Sequence, residues 1–187
     1  MANYDNMNYI ANQLLKKGWH KNSITASLIC AMQESGFDPK INNSSEAHNG
    51  FNYYPGGNWG WGLWQWSYLP NNKKIADYVK NHNAKESIDY EITILINNNP
   101  VQWQGVRYSW SSFMHNTQGL SVEQLTKDWF QFWEGQGSPE ARPSLFSLYW
   151  RWHNDVLKHL KWNGNSKPND GTHADGNNSD KPSATVS

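Results

Sequence analysis

Residues 32–39 read Met32-Gln33-Glu34-Ser35-Gly36-Phe37-Asp38-Pro39, and residues 60–66 read Gly60-Trp61-Gly62-Leu63-Trp64-Gln65-Trp66. The first stretch closes a helix. Ser23 is placed to cap it, Ile24, Leu28 and Met32 recur at helical spacing, and Gly36 and Pro39 are stop signals. Glu34 therefore belongs to the last turn, where the helix dipole disfavours a negative charge by about 0.3–1 kcal/mol. The second stretch has no helical period. With Trp59 it places four Trp within eight residues, and Gly57, Gly60 and Gly62 permit close backbone approach. Such a cluster has two readings, a core or the floor of a groove on which ring-shaped ligands stack, and the spacing leaves both open.

The flanking sequence supplies a helical frame. Tyr4, Met7, Ile10, Ala11, Leu14 and Leu15 predict a first helix before Gly18. Residues 72–83 and 88–98 carry two more helical patterns. Ser121-Val122-Glu123-Gln124 spells a capping box ahead of Leu125, Trp129, Phe132 and Trp133, a helix expected to end near Gly135. Leu145, Leu148, Tyr149, Trp152, Val156 and Leu160 predict a last helix reaching about Trp162. Residues 38–70 read as one long loop with room for a short β-hairpin, and loops of that length are usually functional. The architecture expected is mainly α, a helical bundle around a groove. It occupies residues 1–162. Residues 163–187, almost devoid of apolar side chains, read as a flexible polar linker or tail, beyond which we expect the natural chain to continue into another module.

Composition removes several function classes. The 187 residues fit one domain. Sixteen basic residues balance sixteen acidic ones without a dense Lys/Arg run, so nucleic acid lacks its electrostatic footprint. Aliphatic side chains are scarce, and 12 Trp and 9 Tyr supply the missing apolar area at roughly 150–250 Å² each. A neutral, hydroxyl-rich partner suits such a chain. No stretch approaches the roughly 20 apolar residues of a membrane span, and the N-terminus lacks the basic and apolar regions of a signal peptide. The lone Cys30 cannot form an internal disulfide, and no Cys-x-x-Cys or His-Glu-x-x-His spacing is present, so neither a metal nor a cofactor is expected. Cys30 also lies in a buried helical setting, which argues against a Cys–His peptidase.

The pair of motifs resembles the Glu-Ser-Gly-Phe-Asn/Asp-Pro and Gly-Leu-x-Gln-Trp motifs of the phage tail lysozymes. These are peptidoglycan-cutting domains on the tail tips or tail knobs of phages that infect Gram-positive bacteria, grouped with goose-type lysozymes and lytic transglycosylases. Similarity extends to Lys17-Gly18-Trp19, Asn22-Ser23-Ile24-Thr25-Ala26 and Phe132-Trp133-Glu134-Gly135 with Arg142, covering residues 5–155. The resemblance implies an α+β lysozyme-like fold and a virion tail component acting outside the cell on peptidoglycan glycan strands, with other tail proteins as partners.

The chemistry is consistent with that resemblance. Cleaving a glycosidic bond needs a carboxylic acid that stays protonated near neutral pH, and burial against aromatic rings achieves this. Glu34 is the expected acid, with Trp59, Trp61, Trp64 and Trp66 as candidate walls and sugar platforms. The resemblance makes Gln65 a substrate-contacting or acid-orienting residue, and the alternative is a loop-bracing amide. Ser35 either contacts the acid or the sugar or merely ends the helix. Tyr149 is a candidate substrate contact, with core packing as the alternative. Glu46 is the first choice for a second carboxylate activating water, at about 6.5–9.5 Å from the acid in an inverting enzyme or about 5–5.5 Å in a retaining one. Glu134, eight residues before Arg142, reads as half of a structural ion pair. The expected activity is an N-acetylmuramidase cutting the β-1,4 bond from N-acetylmuramic acid to N-acetylglucosamine. A lytic transglycosylase forming 1,6-anhydro ends and a non-catalytic wall-binding module are the alternatives.

Overall fold

In a computed structural model of the chain, the structure describes residues 2–42, 60–67, 70–97, 102–162 and 167–170. The helices are α1 (Tyr4–Lys16), α2 (Lys21–Ser35), α3 (Asn71–Val79), α4 (Ala84–Asn97), α5 (Trp110–His115), α6 (Val122–Asp128), α7 (Pro143–Trp150) and α8 (His153–His159). One π-helical turn, Trp129–Trp133, continues α6 directly. The protein is thus mainly α, as expected. Of the 38–70 region, the described residues form the isolated bridges Asn42–Trp61 and Trp61–Trp66, while residues 43–59, 68 and 69, on which the expected β-hairpin largely falls, lie outside the described residues.

The central element is α2. It packs against α1, α5, α6, α7, α8 and the π turn, and its residues are buried on nearly every side. A helix surrounded in this way needs small side chains, which Ser23, Ala26, Ser27, Cys30 and Ala31 provide. Their hydroxyls donate to backbone carbonyls. Ser27 Oγ donates to Ile24 O (2.7 Å), and Ser23 Oγ crosses to Phe113 O (2.5 Å). Ser23 is therefore not the cap. The helix starts two residues earlier, and His20 Nδ1 accepts from the Asn22 amide at 3.0 Å.

The tryptophans do the work that aliphatic residues usually do. Trp129 stacks on Trp133 (centroids 4.6 Å apart), and Trp110 stacks on Phe113 (5.5 Å). Trp103 fills the angle between Trp110 and Phe132. This plate supports α6 and the π turn beside α2.

Several boundaries differ from the sequence reading. Helix α5, six residues long, is too short to show a period. The last helix is two. Trp152 N bonds Tyr149 O (3.2 Å), a tighter i→i+3 closure, and its indole donates to Gln33 Oε1 on α2 (2.7 Å). Residues 167–170 lie against the helices. Asn169 Nδ2 donates to Asp5 (2.8 Å), Asn169 N to Asn6 Oδ1 (2.9 Å), and the Ala84 amide that opens α4 donates to Asp170 Oδ1 (2.5 Å).

Candidate active site

Glu34 sits one residue before the end of α2. Gly36 stops the helix in the left-handed conformation (φ 58°), and its amide returns to Met32 O at 3.1 Å. The Glu34 residue is 5% exposed. Its Oε1 accepts a hydrogen bond from the Tyr149 hydroxyl, which α7 carries across from the other side of the site. Tyr149 is itself fully buried, its ring meeting Phe130 edge-on at 5.3 Å. Burial and the nearby Glu34 and Glu134 carboxylates push the Tyr149 hydroxyl far above its usual range. It is therefore a hydrogen-bond donor at any ordinary pH. It touches Glu34 and, completely buried, offers no surface of its own to a ligand.

A second carboxyl, that of Glu134, lies within the electrostatic influence of Glu34. The backbone of the π turn closes with Glu134 N on Trp129 O (3.0 Å) and is followed by Gln136 N on Phe130 O (3.2 Å). Within it Trp129 Nε1 donates to Glu134 Oε1 at 2.9 Å. Burial first, and then the Glu34 charge, hold the Glu134 carboxyl well above the ordinary carboxylate range, with the Trp129 N–H opposing them. The same site raises the Cys30 thiol through burial, Glu134 and Glu34, leaving it neutral and a poor nucleophile. The expected Glu134–Arg142 ion pair is not formed among the described residues. The π turn directs Glu134 inward, while Arg142 is exposed where the chain turns over Ser138.

The Gly60–Trp66 segment is a tight turn bracketed to α2. Trp61 N and Trp66 N exchange hydrogen bonds with each other's carbonyls (3.2 and 2.9 Å), and Gly62 N reaches Ile41 O (2.7 Å). Ser35 Oγ donates to Leu63 O (2.8 Å) and Ala31 O (2.9 Å), so it clamps the turn to the helix end rather than bonding the acid. Gln65 Nε2 donates to Gly62 O (3.0 Å) and Ile41 O (3.4 Å), which is the loop-bracing role. Glu91, a completely buried carboxyl on α4, accepts from Leu63 N (2.8 Å). Burial pushes it well above its usual range, partly offset by the Leu63 amide. Gly62 (φ 79°) lies so close that a Cβ there would sit 1.9 Å from Glu91 Oε1.

Of the four Trp, Trp64 and Trp66 are completely buried. Trp64 Nε1 donates to Ser27 O (3.2 Å), and Trp66 meets Trp133 edge-on at 5.1 Å. Their faces are spent on the core. Trp61 is the one of the three described Trp in this segment that is partly exposed. Glu46, Trp59 and Gly57 lie outside the described residues. Glu134 and Glu91 were missed as site residues for different reasons. Arg142 offered Glu134 a plausible partner. Glu91 did carry a signal, an acidic residue in the apolar Ile88, Ile92, Leu95 stripe of α4. Among the described residues no group of three His, Cys, Asp or Glu side chains is placed to hold a metal ion, and no helix is long and apolar enough to cross a membrane.

Comparison with curated proteins gives no match. The model of the phage tail lysozyme family matches residues 5–144, which include Glu34, the Gly60–Trp66 turn and Glu134. That match covers most of the chain, and the protein belongs to the phage tail lysozyme family.

Proposed function

We propose that the chain is an N-acetylmuramidase in which Glu34 is the general acid, and that it opens the cell wall locally while a phage tail penetrates. Family membership supports a lysozyme-like, peptidoglycan-hydrolysing domain on a virion tail. The observation that carries the finer reading is Glu34 itself, a nearly buried carboxyl in the last turn of α2, hydrogen-bonded by Tyr149 and within the electrostatic influence of Glu134. A low-polarity site, a helix C-terminus and a second carboxylate all favour the neutral acid.

The reaction balances as follows. The Glu34 proton passes to the oxygen bridging muramic acid and glucosamine. The bond from that oxygen to C1 of muramic acid breaks, its electron pair staying with glucosamine. Water then adds to C1 and gives its proton to a carboxylate, for which Glu46 remains our candidate. Trp61, partly exposed, is our candidate for a stacking face. The Tyr149 hydrogen bond favours a second reading. A donor on Oε1 stabilises the carboxylate left after the first proton transfer, which a lytic transglycosylase needs to accept the proton of the sugar's own 6-hydroxyl.

Mass spectrometry of muropeptides released from purified Gram-positive walls tests this reading. Reducing muramic acid ends from the unmodified chain, absent with Glu34→Gln of unchanged circular dichroism, are expected. Anhydro ends, lighter by one water, mean transglycosylase. Unchanged release by Glu34→Gln overturns Glu34 as the acid, and wall binding without any release makes the chain a binding module.

A further inference from the structure

Asparagine is a poor helix former and is mostly found in water, yet Asn3, Asn6, Asn8 and Asn12, at the cap and along α1, are all buried. Each holds another part of the chain. Asn8 donates to His159 O (3.0 Å) and accepts from Lys161 N (2.7 Å), and Asn12 donates to Lys161 O (2.9 Å). Those bonds fasten the segment that follows α8. The other two asparagines reach the end of α2. Asn3 N donates to Gly36 O at 2.9 Å, and Asn6 Nδ2 donates to Phe37 O at 2.9 Å. On its other side Asn6 Oδ1 accepts from Asn169 N (2.9 Å), while Asn3 Nδ2 donates to Asn169 Oδ1 (2.6 Å). This pairing fixes the direction of the Asn6 amide. Phe37 O can only accept and Asn169 N can only donate, so a flipped amide would lose both bonds.

What Asn6 holds is a strained turn. Phe37 follows the left-handed Gly36 (φ 58°) and is itself left-handed (φ 69°), an unfavourable backbone for a bulky side chain. Such a residue persists only where its surroundings impose the conformation. Here the Phe37 ring is completely buried, its amide donates to Ser35 Oγ (3.1 Å), and its carbonyl takes the Asn6 bond. The turn closes with Asp38 N on Ser35 O (3.2 Å), which occupies a carbonyl that the helix end leaves open. Helix ends fray where such groups lack partners, and Glu34 lies in this last turn.

We propose that Asn6 is a positioning residue for the acid: by its bond to Phe37 O it holds the left-handed turn closed, and the closed turn keeps the Glu34 carboxyl against the Tyr149 hydroxyl. The inference rests on Glu34 being the acid. Asn6 acts through Phe37 and Gly36 and takes no part in the proton transfer.

Helix α1 supplies a matched control. Asn6→Ala and Asn8→Ala each remove one donor and one acceptor bond to a distant part of the chain, and only the first releases the turn behind Glu34. Cleavage of soluble, uncross-linked wall glycan is measured for the full chain carrying either change, at a temperature where circular dichroism shows both folded. In Asn6→Ala, kcat is expected to fall about tenfold or more with KM within about twofold, because the acid is misplaced while glycan binding is untouched. In Asn8→Ala, kcat should stay within about twofold of the unmodified protein. The second readout is amide hydrogen exchange, which does not depend on cleavage. The Gly36 and Asp38 amides should exchange about tenfold faster in Asn6→Ala and at the unmodified rate in Asn8→Ala. If Asn6→Ala does not fold, Asn6→Asp keeps the size of the side chain and an acceptor for Asn169 N, sets an oxygen against Phe37 O, and should move both readouts likewise. Unchanged kcat in a folded Asn6 variant overturns the proposal whether or not exchange quickens. An equal fall of kcat in Asn8→Ala also overturns it, since the effect is then a general loosening. Faster exchange together with full cleavage by Glu34→Gln leaves the turn as described but rejects Glu34 as the acid, and the positioning role with it.

Discussion

At the residue scale the site is built from hydrogen bonds that single atoms carry. The Tyr149 ring packs on Phe130 while its hydroxyl alone touches Glu34. Tyr149→Phe should therefore keep the fold and lower kcat about tenfold, the equivalent of ~1.4 kcal/mol. Rates of wall clearing beside thermal melts check this, and an unchanged rate would mean that the hydroxyl serves packing only. Glu91 makes a different prediction. Its carboxyl titrates well above its unfolded value because it is buried. Above the unfolded pKa, near 4.3, the native state holds a proton that the unfolded chain has released. The stability it lends is full below that pH and is lost as pH rises toward the native value. Urea midpoints should therefore fall between pH 5 and pH 8, and Glu91→Gln should flatten the fall. An equal fall in both proteins sinks this account.

Two local irregularities, neither of them part of the predicted periodicity, shape the site at the element scale. One is the π turn. The capping box was legible, and Ser121 Oγ does accept from Gln124 N (3.1 Å). The switch from α to π after Asp128 was not, because the apolar pattern of Trp129, Phe132 and Trp133 fits either helix. The other is the Gly60–Trp66 turn. Its glycines read as permissive, and Gly62 proves to need both its positive φ and its missing Cβ. Gly119 (φ 64°) has open space around it, so Gly119→Ala should cost only about 1 kcal/mol for the left-handed backbone. Gly62→Ala adds a collision with Glu91 and should cost at least about 3 kcal/mol. Urea unfolding of the two variants compares them, and equal losses would show that the Glu91 contact imposes no constraint.

At the scale of the whole molecule, α2 joins α1 and α8 to the candidate site. The resemblance that the sequence carried was enough to indicate the family because its motifs lie at both ends of the contact between α2 and the Trp-rich turn. The polar tail was legible only as composition. Asn169 and Asp170 show why that falls short, since a polar side chain meets an exposed helix N-terminus without leaving an apolar signal. We propose that residues 167–170 belong to the folded unit. A chain ending at Trp162 should lose about 1–2 kcal/mol, with Asp170→Ala accounting for about half through the Ala84 amide left without its acceptor at a helix start that Asn83 still caps. Thermal melts of the two proteins test this, and a truncated chain as stable as the full one would return the edge to Trp162.

The sequence by itself determined the helical frame, the place of Glu34 in the last turn of α2 and the family. Each follows from local spacing or from a contiguous motif, and those survive in one dimension. The partners of Glu34 were decided only by tertiary structure. Tyr149 lies 115 residues away along the chain, and Glu134 turns inward because a π turn, not an α turn, ends its helix. The same holds for the burial of Trp64 and Trp66, whose composition suits a core and a groove equally until the neighbouring helices cover one face.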